Sequence, residues 1–576
     1  MSKKGQTITG AEILLESLLA HGCDTVFGYP GGQIMPVYDK LYDYTESLRH
    51  ILVRHEQGAI HAAQGYARIK HVPGVVLVTS GPGATNVITG VADALIDSTP
   101  LVVIAGQVAT SALGTDAFQE TDLIGLTTPI TKWSYQIRRP SDIAWAVSRA
   151  FYVANSGRPG PVVLDFTKDA QVGTCEYEDV RCEFIRSYLP VPTASEETID
   201  KAVEMINAAQ KPFVVYGQGI LLSGAEKELE EFLDKGDIPA GSTLLGLSSL
   251  KSDNPHYKGM VGMHGSLANN VMTQNCDLLI AVGMRFDDRV TGTVSSYAKQ
   301  AKILHIDIDA TEIGKIIPVD LGVLGDAKNV LGRITAKMES RKRSSWPEDT
   351  IASCEKVEKE KVIDPEVYPQ GGMIRSGEVI SKVTHACGGD AIVITDVGQN
   401  QMLAARYSRF DKSRSFISSG GLGTMGFGLP AAIGAKVASP ERKVVLFVGD
   451  GGLQMTIQEL GTIMQEGTGV KIVLLNNNWL GNVRQWQELF FQNRCSATRM
   501  VNPDYVKIAE AYGIDIVSVE KREDLDAAIA KMFSDDAPFI LNVHVEETAN
   551  VFPMIPPGKS VGEIMLNRKE MFEYGK

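Results

Sequence analysis

The chain has 576 residues, 44% of them hydrophobic and 22% charged, enough for about three or four domains with real cores. This mixed composition excludes disorder, collagen and coiled coil. Lys and Arg total 56 against 69 Asp and Glu, a net charge of −13, so no nucleic acid and no anionic membrane surface is expected as a partner.

The first segment, MSKKGQTITGAEILLESLLAHG, is too polar for a secretory signal. Ile13, Leu14, Leu18 and Leu19 fit helical spacing, with Thr9 as N-cap and Glu12 three residues on. No run of about 18 apolar residues follows anywhere, so no membrane span is expected. The seven cysteines (Cys23, Cys175, Cys182, Cys276, Cys354, Cys387 and Cys495) are irregularly spaced without a C-x-x-C. They read as scattered thiols in a reducing compartment, the cytoplasm, rather than a disulfide framework or zinc site.

Short β-branched runs then recur between helical stretches: 75–79, 101–105, 162–166, 212–216, 278–282, 303–308, 392–395, 444–448, 470–475 and 539–545. Continuous apolar runs of this kind are strands buried on both faces, which predicts an α/β fold with several parallel sheets. Residues 174–196 and 340–372 lack periodicity, carry prolines, and read as crossing linkers. They divide the chain into 1–175, 195–340 and 370–545, with a tail at 546–576. The first and last thirds are each expected to hold a doubly wound sheet of similar size.

The sharpest local signal lies in the last third. The run 444–448 leads into Gly449-Asp450-Gly451-Gly452, and the run 470–475 ends at Asn476-Asn477-Asn478. A single helix is expected between them, with Met455, Leu460, Ile463 and Met464 on its apolar side. Consecutive parallel strands end at one edge of a sheet, so Asp450 and Asn477 are expected to converge there. A carboxylate and an amide carbonyl are hard oxygen ligands suited to Mg²⁺, and the glycines let the backbone approach a diphosphate.

This pairing resembles the thiamine-diphosphate (ThDP) motif. The likeness extends along the chain through VFGYPGGQIMPVYDKL (26–41), RHEQGAIHAAQGYAR (54–68), TSGPGATN (79–86), GTDAFQE (114–120) and GRPGPVVLDFTKD (157–169). It continues in GMHG (262–265), GMRFDDRVTG (283–292), DVGQNQM (396–402), GLGTMGFGLPAAIGA (421–435) and VRQWQELFF (483–491). Together these resemble the acetohydroxyacid synthase (acetolactate synthase) family, catalytic subunit. The resemblance implies three doubly wound parallel-sheet domains: pyrimidine-binding, central FAD-binding and diphosphate-binding. It implies ThDP, Mg²⁺ and FAD as cofactors, with Asp450, Asn477 and the main-chain oxygen of Trp479 as metal ligands. Gln399, Asn400, Met425, Gly449, Gly451, Gly452, Gly481, Asn482 and Val483 would line the ThDP site.

By the same resemblance Glu56 is the acid that activates the aminopyrimidine, a role requiring a dry site. Gln119 and Gly32 would lie over the reaction centre and Lys168 near the substrate entrance. Arg289 would hold the acceptor carboxylate and Trp486 would favour a larger acceptor side chain. FAD would contact Arg158, Met263, His264, Gly265, Gly283, Arg285, Asp307 and Asp326. The implied reaction decarboxylates pyruvate and joins the two-carbon carbanion to a second 2-oxo acid. Pyruvate as acceptor gives 2-acetolactate and 2-oxobutanoate gives 2-aceto-2-hydroxybutanoate, both precursors of branched-chain amino acids. The implied partners are a second copy, in a homodimer or tetramer, and a small regulatory subunit.

Three positions depart from the family pattern: Ala109 replaces proline, Asn400 replaces histidine, and Asn482 replaces methionine. The competing readings are another FAD- and ThDP-dependent 2-oxo acid enzyme (pyruvate oxidase or catabolic acetolactate synthase), a flavoprotein dehydrogenase, and an inactive ThDP-fold scaffold. Glu56 argues against glyoxylate carboligase. Gly421-x-Gly423-x-x-Gly426 fits a dinucleotide fingerprint but lacks the acidic residue expected about 20 positions on.

Overall fold

The computed structural model describes residues 3–342, 346 and 348–573. Three six-stranded sheets, parallel throughout, span residues 25–167, 212–324 and 392–544. In the N-terminal sheet the spatial order is 49–52, 25–28, 74–78, 101–107, 161–167 and 133–137. Numbered along the chain, that is 2-1-3-4-6-5. The C-terminal sheet runs 416–417, 392–395, 444–449, 470–476, 539–544 and 515–519, which is the same order. The central sheet runs 257–260, 240–242, 212–216, 278–282, 302–307 and 321–324, or 3-2-1-4-5-6. The interior strands Leu101–Gln107, Pro161–Thr167 and Val470–Asn476 are buried at every residue. Helices cover both faces, as a parallel sheet requires.

The Thr9–Glu12 capping box forms as expected and opens the helix Gly10–Ala20. The two similar sheets meet through the helices Glu56–Lys70 and Gly428–Ala438, which cross at glycines. A Cβ on Gly434 would lie 1.8 Å from the Ala62 carbonyl oxygen, and one on Gly65 2.1 Å from that of Ala431. Only hydrogen permits that approach.

Four segments differ from expectation. Thr174–Glu176, at the head of the first expected linker, is a strand pairing antiparallel with Thr7–Thr9. The second expected linker is largely helical: Glu348–Glu358, a π-helical turn at Lys359–Ile363, and Asp364–Val367. Its charges mostly face solvent, while Cys354, Val362 and Val367 are buried. Buried Glu358 pairs with buried Arg406, and Pro365 lies in the short helix that directly follows the π-helical turn.

The helix expected after the GDGG run is broken into Asp450–Met455, the 3₁₀ turn Ile457–Glu459, and Leu460–Glu466. Leu460 and Ile463 are buried, but Met455 and Met464 are exposed. Thr456 interrupts the helix with φ −134° and gives its hydroxyl to the Gly426 carbonyl at 3.0 Å. Finally, the tail beyond residue 545 is docked. Ile555, Val561, Ile564 and Leu566 join the apolar core under one face of the central sheet, and Glu563–Met565 pairs with Met571–Glu573. Among the described residues no helix is long and apolar enough to cross a membrane.

Candidate functional site

The C-terminal sheet gathers the expected diphosphate residues at its carboxyl edge. Strands Val444–Gly449 and Val470–Asn476 are parallel neighbours, with Gly449 opposite Leu475. The next residues, Asp450 and the Asn476–Asn478 run, therefore sit side by side. Asp450 is 1% exposed. Its Oδ1 accepts the Gly451 N–H at 3.0 Å, and its Oδ2 accepts the Asn478 N–H at 2.7 Å. Asn502, which no sequence motif pointed to, gives its amide to Asp450 Oδ2, Asn476 Oδ1 and Asn478 Oδ1 at 2.7, 2.9 and 3.1 Å. Asn478 adopts φ 58°, the left-handed region that asparagine tolerates. Burial pushes the Asp450 carboxyl up from its ordinary range, a cost that an adjacent cation offsets.

Space for an anion adjoins this carboxylate. Helices Gln399–Tyr407 and Gly481–Phe490 both begin without a side-chain cap, leaving N–H groups that favour negative charge. A Cβ on Gly481 would lie 2.3 Å from Gln399 Oε1 and 2.8 Å from Asn477 Nδ2, so the two helix starts and Asn477 share one cradle. The Oδ1 atoms of Asn400 and Asn482 are buried there without a partner. Met425 reaches the same place: its Cε lies 3.6 Å from where a Cβ on Gly451 would stand. Val483 is exposed. Asn477 Oδ1 accepts the Trp479 N–H at 3.1 Å.

Among the described residues no group of three or more His, Cys, Asp or Glu side chains is arranged for a metal. The donors at this edge are one carboxylate together with amide and main-chain oxygens. That set fits a hard cation such as Mg²⁺, completed by phosphate oxygens and water, and lacks the nitrogen and sulfur ligands that zinc favours.

The Met425 loop is pinned from three sides. Buried Asp97 of the N-terminal domain accepts the N–H of Gly420 and Gly421 at 2.8 and 2.7 Å and pairs with Arg68 at 3.0 Å. Asp93 takes the hydroxyls of Ser419 and Thr424. Asp396 takes the N–H of Gly426 and Gly428. Burial pushes the carboxyls of Asp97 and Asp396 up. Asp93 and Asp97 carried no sequence signal, because each matters only through a loop distant in the chain; Asp396 opens the DVGQNQM stretch, which gave it no role.

The N-terminal sheet presents a second set at its own carboxyl edge. Glu56 begins the helix after strand Arg49–Leu52 and is half-buried. Asn86 gives its amide to Glu56 Oε2 at 2.9 Å, and Gly83 stands close enough that an added Cβ would lie 3.3 Å from Oε1. Gln119 has φ 64° and packs on Gly81, where a Cβ would meet its backbone at 2.9 Å. Such strained backbone gathers at functional sites. Lys168 Nζ donates to the Gly32 carbonyl at 2.7 Å. The four residues thus occupy one edge, but within one chain neither Glu56 nor Gln119 hydrogen-bonds the Asp450 cluster among the described residues.

Between the domains lies a cleft of about 920 Å³ at the point where the central strand order reverses. Glycines line that crossing: a Cβ on Gly219 would lie 2.5 Å from the Gly283 Cα. A 3-2-1-4-5-6 sheet binds dinucleotides in this crevice. Arg158, Met263, His264, Gly283, Arg285, Asp307 and Asp326 all line it; Gly265 lies beneath, packed on Val261 and Met260. His264 Nδ1 contacts the Pro553 carbonyl at 3.0 Å, and its Nε2 is buried without a partner. Burial holds this imidazole down at about 4 and pushes Asp307 up to about 6. Arg158 binds Glu312 at 2.8 Å and Asp309 at 3.2 Å. Arg289 and Trp486 face the same cleft with Asn482. Arg289 is exposed, with Asp288 at 3.5 Å.

Comparison with known proteins agrees with this geometry. Models of the thiamine pyrophosphate enzyme family match three stretches: the N-terminal TPP binding domain at residues 8–126, the central domain at 199–334, and the C-terminal TPP binding domain at 396–543. The chain is 44% identical to the acetolactate synthase large subunit of Lactococcus lactis, covering 97% of this chain and 96% of that one. It is 43% identical to the isozyme 2 large subunit of Escherichia coli, over 97% and 99%. It is 42% identical to the mitochondrial acetolactate synthase catalytic subunit of Saccharomyces cerevisiae, over 97% and 84%. With all three thiamine pyrophosphate enzyme domains matched and more than 40% identity to these enzymes over nearly its whole length, the chain belongs to the acetolactate synthase family of thiamine-diphosphate-dependent carboligases, as a large, catalytic subunit.

Proposed function

We propose that this large subunit condenses pyruvate with a second 2-oxo acid, pyruvate or 2-oxobutanoate, using ThDP, Mg²⁺ and FAD. The observation that carries the reading is the adjacency of Asp450 and the Asn476–Asn478 run at the ends of neighbouring strands. Asp450, Asn477 and the Trp479 carbonyl would hold Mg²⁺. The N–H groups of Gln399, Asn400 and Gly481 would receive the diphosphate, and Met425 would prop the rings of ThDP against one another. When bound, ThDP supplies the electron sink for decarboxylation and carbon–carbon bond formation.

The protein's own part is positional and electrostatic. Glu56 would exchange a proton with the pyrimidine nitrogen of bound ThDP, while Asn86 fixes the orientation of its carboxylate. Gln119, Gly32 and Lys168 bound the reaction space and exclude water. Arg289 offers a planar fork to the acceptor carboxylate, and the Trp486 indole gives an apolar wall that favours the longer acceptor. The central cleft would take FAD, with Arg158, Met263, His264, Gly265, Gly283, Arg285, Asp307 and Asp326 around it. Bound there, FAD would sit among residues of the three domains and would take no part in the net reaction.

Glu56 and the Asp450 cluster stand on different sheets and do not bond one another within a chain. A second copy that brings one protomer's Glu56 edge to its partner's Asp450 edge completes the site, so the working form is a homodimer or a dimer of dimers. A small regulatory subunit is the expected protein partner, given the large-subunit naming of the relatives. The seven unpaired thiols favour a reducing compartment, the cytoplasm.

The test is acetolactate formation from pyruvate by the purified protein, with ThDP, Mg²⁺ and FAD omitted in turn. Loss of product on omission of ThDP or Mg²⁺ is expected. Full activity without ThDP overturns the reading, and oxygen consumption in place of acetolactate formation would favour a pyruvate oxidase.

A further inference from the structure

Behind Glu56 stands a second carboxylate, from the far end of the chain. Glu459 closes the 3₁₀ turn that follows the Asp450–Met455 helix and is fully buried. Its nearest cation is turned elsewhere: the Arg54 guanidinium donates to the carbonyls of Leu52 and Gly461 and to Gln465 Oε1. Both Glu459 oxygens instead accept the backbone N–H of Arg54, each at 3.2 Å. The backbone N–H of His55 also points to them, and Oε2 takes the Thr462 hydroxyl at 2.7 Å. Arg54 and His55 are the two residues before Glu56. At Gly58, just after it, an added Cβ would lie 2.3 Å from Glu459 Oε1, so the carboxylate is pressed against the first turn of the Glu56 helix.

A buried carboxylate is costly unless its oxygens are well bonded. Here the bonds go almost wholly to backbone at the start of one helix, where unpaired N–H groups favour negative charge. We propose that Glu459 is a positioning residue for Glu56, its carboxylate fixing the Arg54–His55 backbone and so the point at which the Glu56 side chain meets the pyrimidine ring. The task of Glu56 comes from the function proposed above; the placement is a property of this chain alone. The same short segment joins Glu459 to Asp450, so the diphosphate edge and the activating acid of one chain are tied mechanically.

The experiment uses the full-length protein as wild type, Glu459→Ala, Glu459→Gln, Glu56→Gln and the double variant Glu459→Ala/Glu56→Gln. The first readout is amide hydrogen exchange of the cofactor-free protein over residues 52–60. Glu459→Ala is expected to speed exchange there about tenfold or more, with a smaller change in Glu459→Gln, which keeps one acceptor. Unchanged protection in Glu459→Ala overturns the proposal.

The second readout is exchange of the ThDP C2 proton with deuterated solvent, followed by quenched NMR. Glu459→Ala is expected to slow it about ten- to a hundredfold, within the range of a mispositioned acid–base group, while ThDP affinity stays within about threefold. In the Glu56→Gln background the same change should slow it no further. Losses that simply add, or weakened ThDP binding at an unchanged exchange rate, overturn the proposal. Should the wild type itself fail to accelerate C2 exchange, the functional reading fails instead, and amide exchange still decides the placement. If Glu459→Ala does not fold, Glu459→Gln and Glu459→Asp carry both readouts.

Discussion

The N-terminal and C-terminal sheets share one strand order, and each sends its functional loops from the carboxyl edge. The loops themselves differ. Those of the N-terminal sheet carry Glu56, Gln119 and Lys168, side chains suited to moving a proton and bounding a small substrate. Those of the C-terminal sheet carry Asp450, an asparagine run and glycines flanked by uncapped helices, equipment for a cation and an anion. One topology, used twice, fixes where a site forms and leaves its chemistry to the loops. The central sheet, with its reversed order, sharpens the point: its cleft opens at a different strand pair and is lined for a larger ligand.

The strongest way to break this division of labour is to disable each edge alone. Glu56→Gln should lower turnover about 10²–10⁴-fold while ThDP and Mg²⁺ still bind within about threefold, measured by fluorescence quenching. Asp450→Ala should instead abolish ThDP-dependent quenching at any workable Mg²⁺ concentration. If the two variants fail in the same way, the edges are not separate instruments.

The seam between the sheets gives the next effect. Gly434→Ala forces a methyl group into the Ala62 carbonyl and should destabilise the protein by about 1–3 kcal/mol or more in urea unfolding. The same change at exposed Gly332, where an added Cβ meets nothing within 4 Å, should be neutral or slightly stabilising.

A pH effect follows from Asp165, in the N-terminal strand Pro161–Thr167. Burial pushes its carboxyl up to about 6 from 3.8, so the folded state holds its proton where the unfolded state has lost it. This contribution is fully present below about pH 4 and disappears as pH rises through 6, a change of roughly 2–3 kcal/mol. Asp165→Asn should flatten the wild-type fall in stability over that window, read from urea midpoints at pH 4.5 and 7. An identical slope in the variant assigns the fall to other groups.

The smallest effect tests the broken helix beside Asp450. Met464→Lys should change stability by less than about 0.5 kcal/mol, because the side chain is in solvent. Ile463→Ala, one residue away and buried, should cost about 2–5 kcal/mol.

Most interior strands were legible from sequence nearly to the residue: Pro212–Tyr216, Leu278–Val282 and Ile392–Thr395 stand where their apolar runs place them, whereas the short buried strands Thr25–Gly28 and Ala240–Ser242 carried no run long enough to mark them. Strands Trp133–Ile137 and Asp515–Val519 were not, because each lies at a sheet edge, half-exposed, and its sequence is mixed. The helices of 348–367 were hidden by charges on their solvent face. The convergence of Asp450 with Asn477 could be read because one strand–helix–strand unit carries both. Asn502, Asp97 and Glu459 could not, since each serves a loop reached only through the folded chain, and Asn86 stood in the TSGPGATN stretch without pointing to its partner Glu56.

The antiparallel pairing of Thr7–Thr9 with Thr174–Glu176 bears on how the protein is made. The strand Thr7–Thr9 finds its partner only when the ribosome has delivered the far border of the same domain, a wait of roughly ten to thirty seconds at ordinary elongation rates. Nascent chains stalled before that border would leave the opening helix without its clasp, offering chaperones an apolar handle until translation catches up.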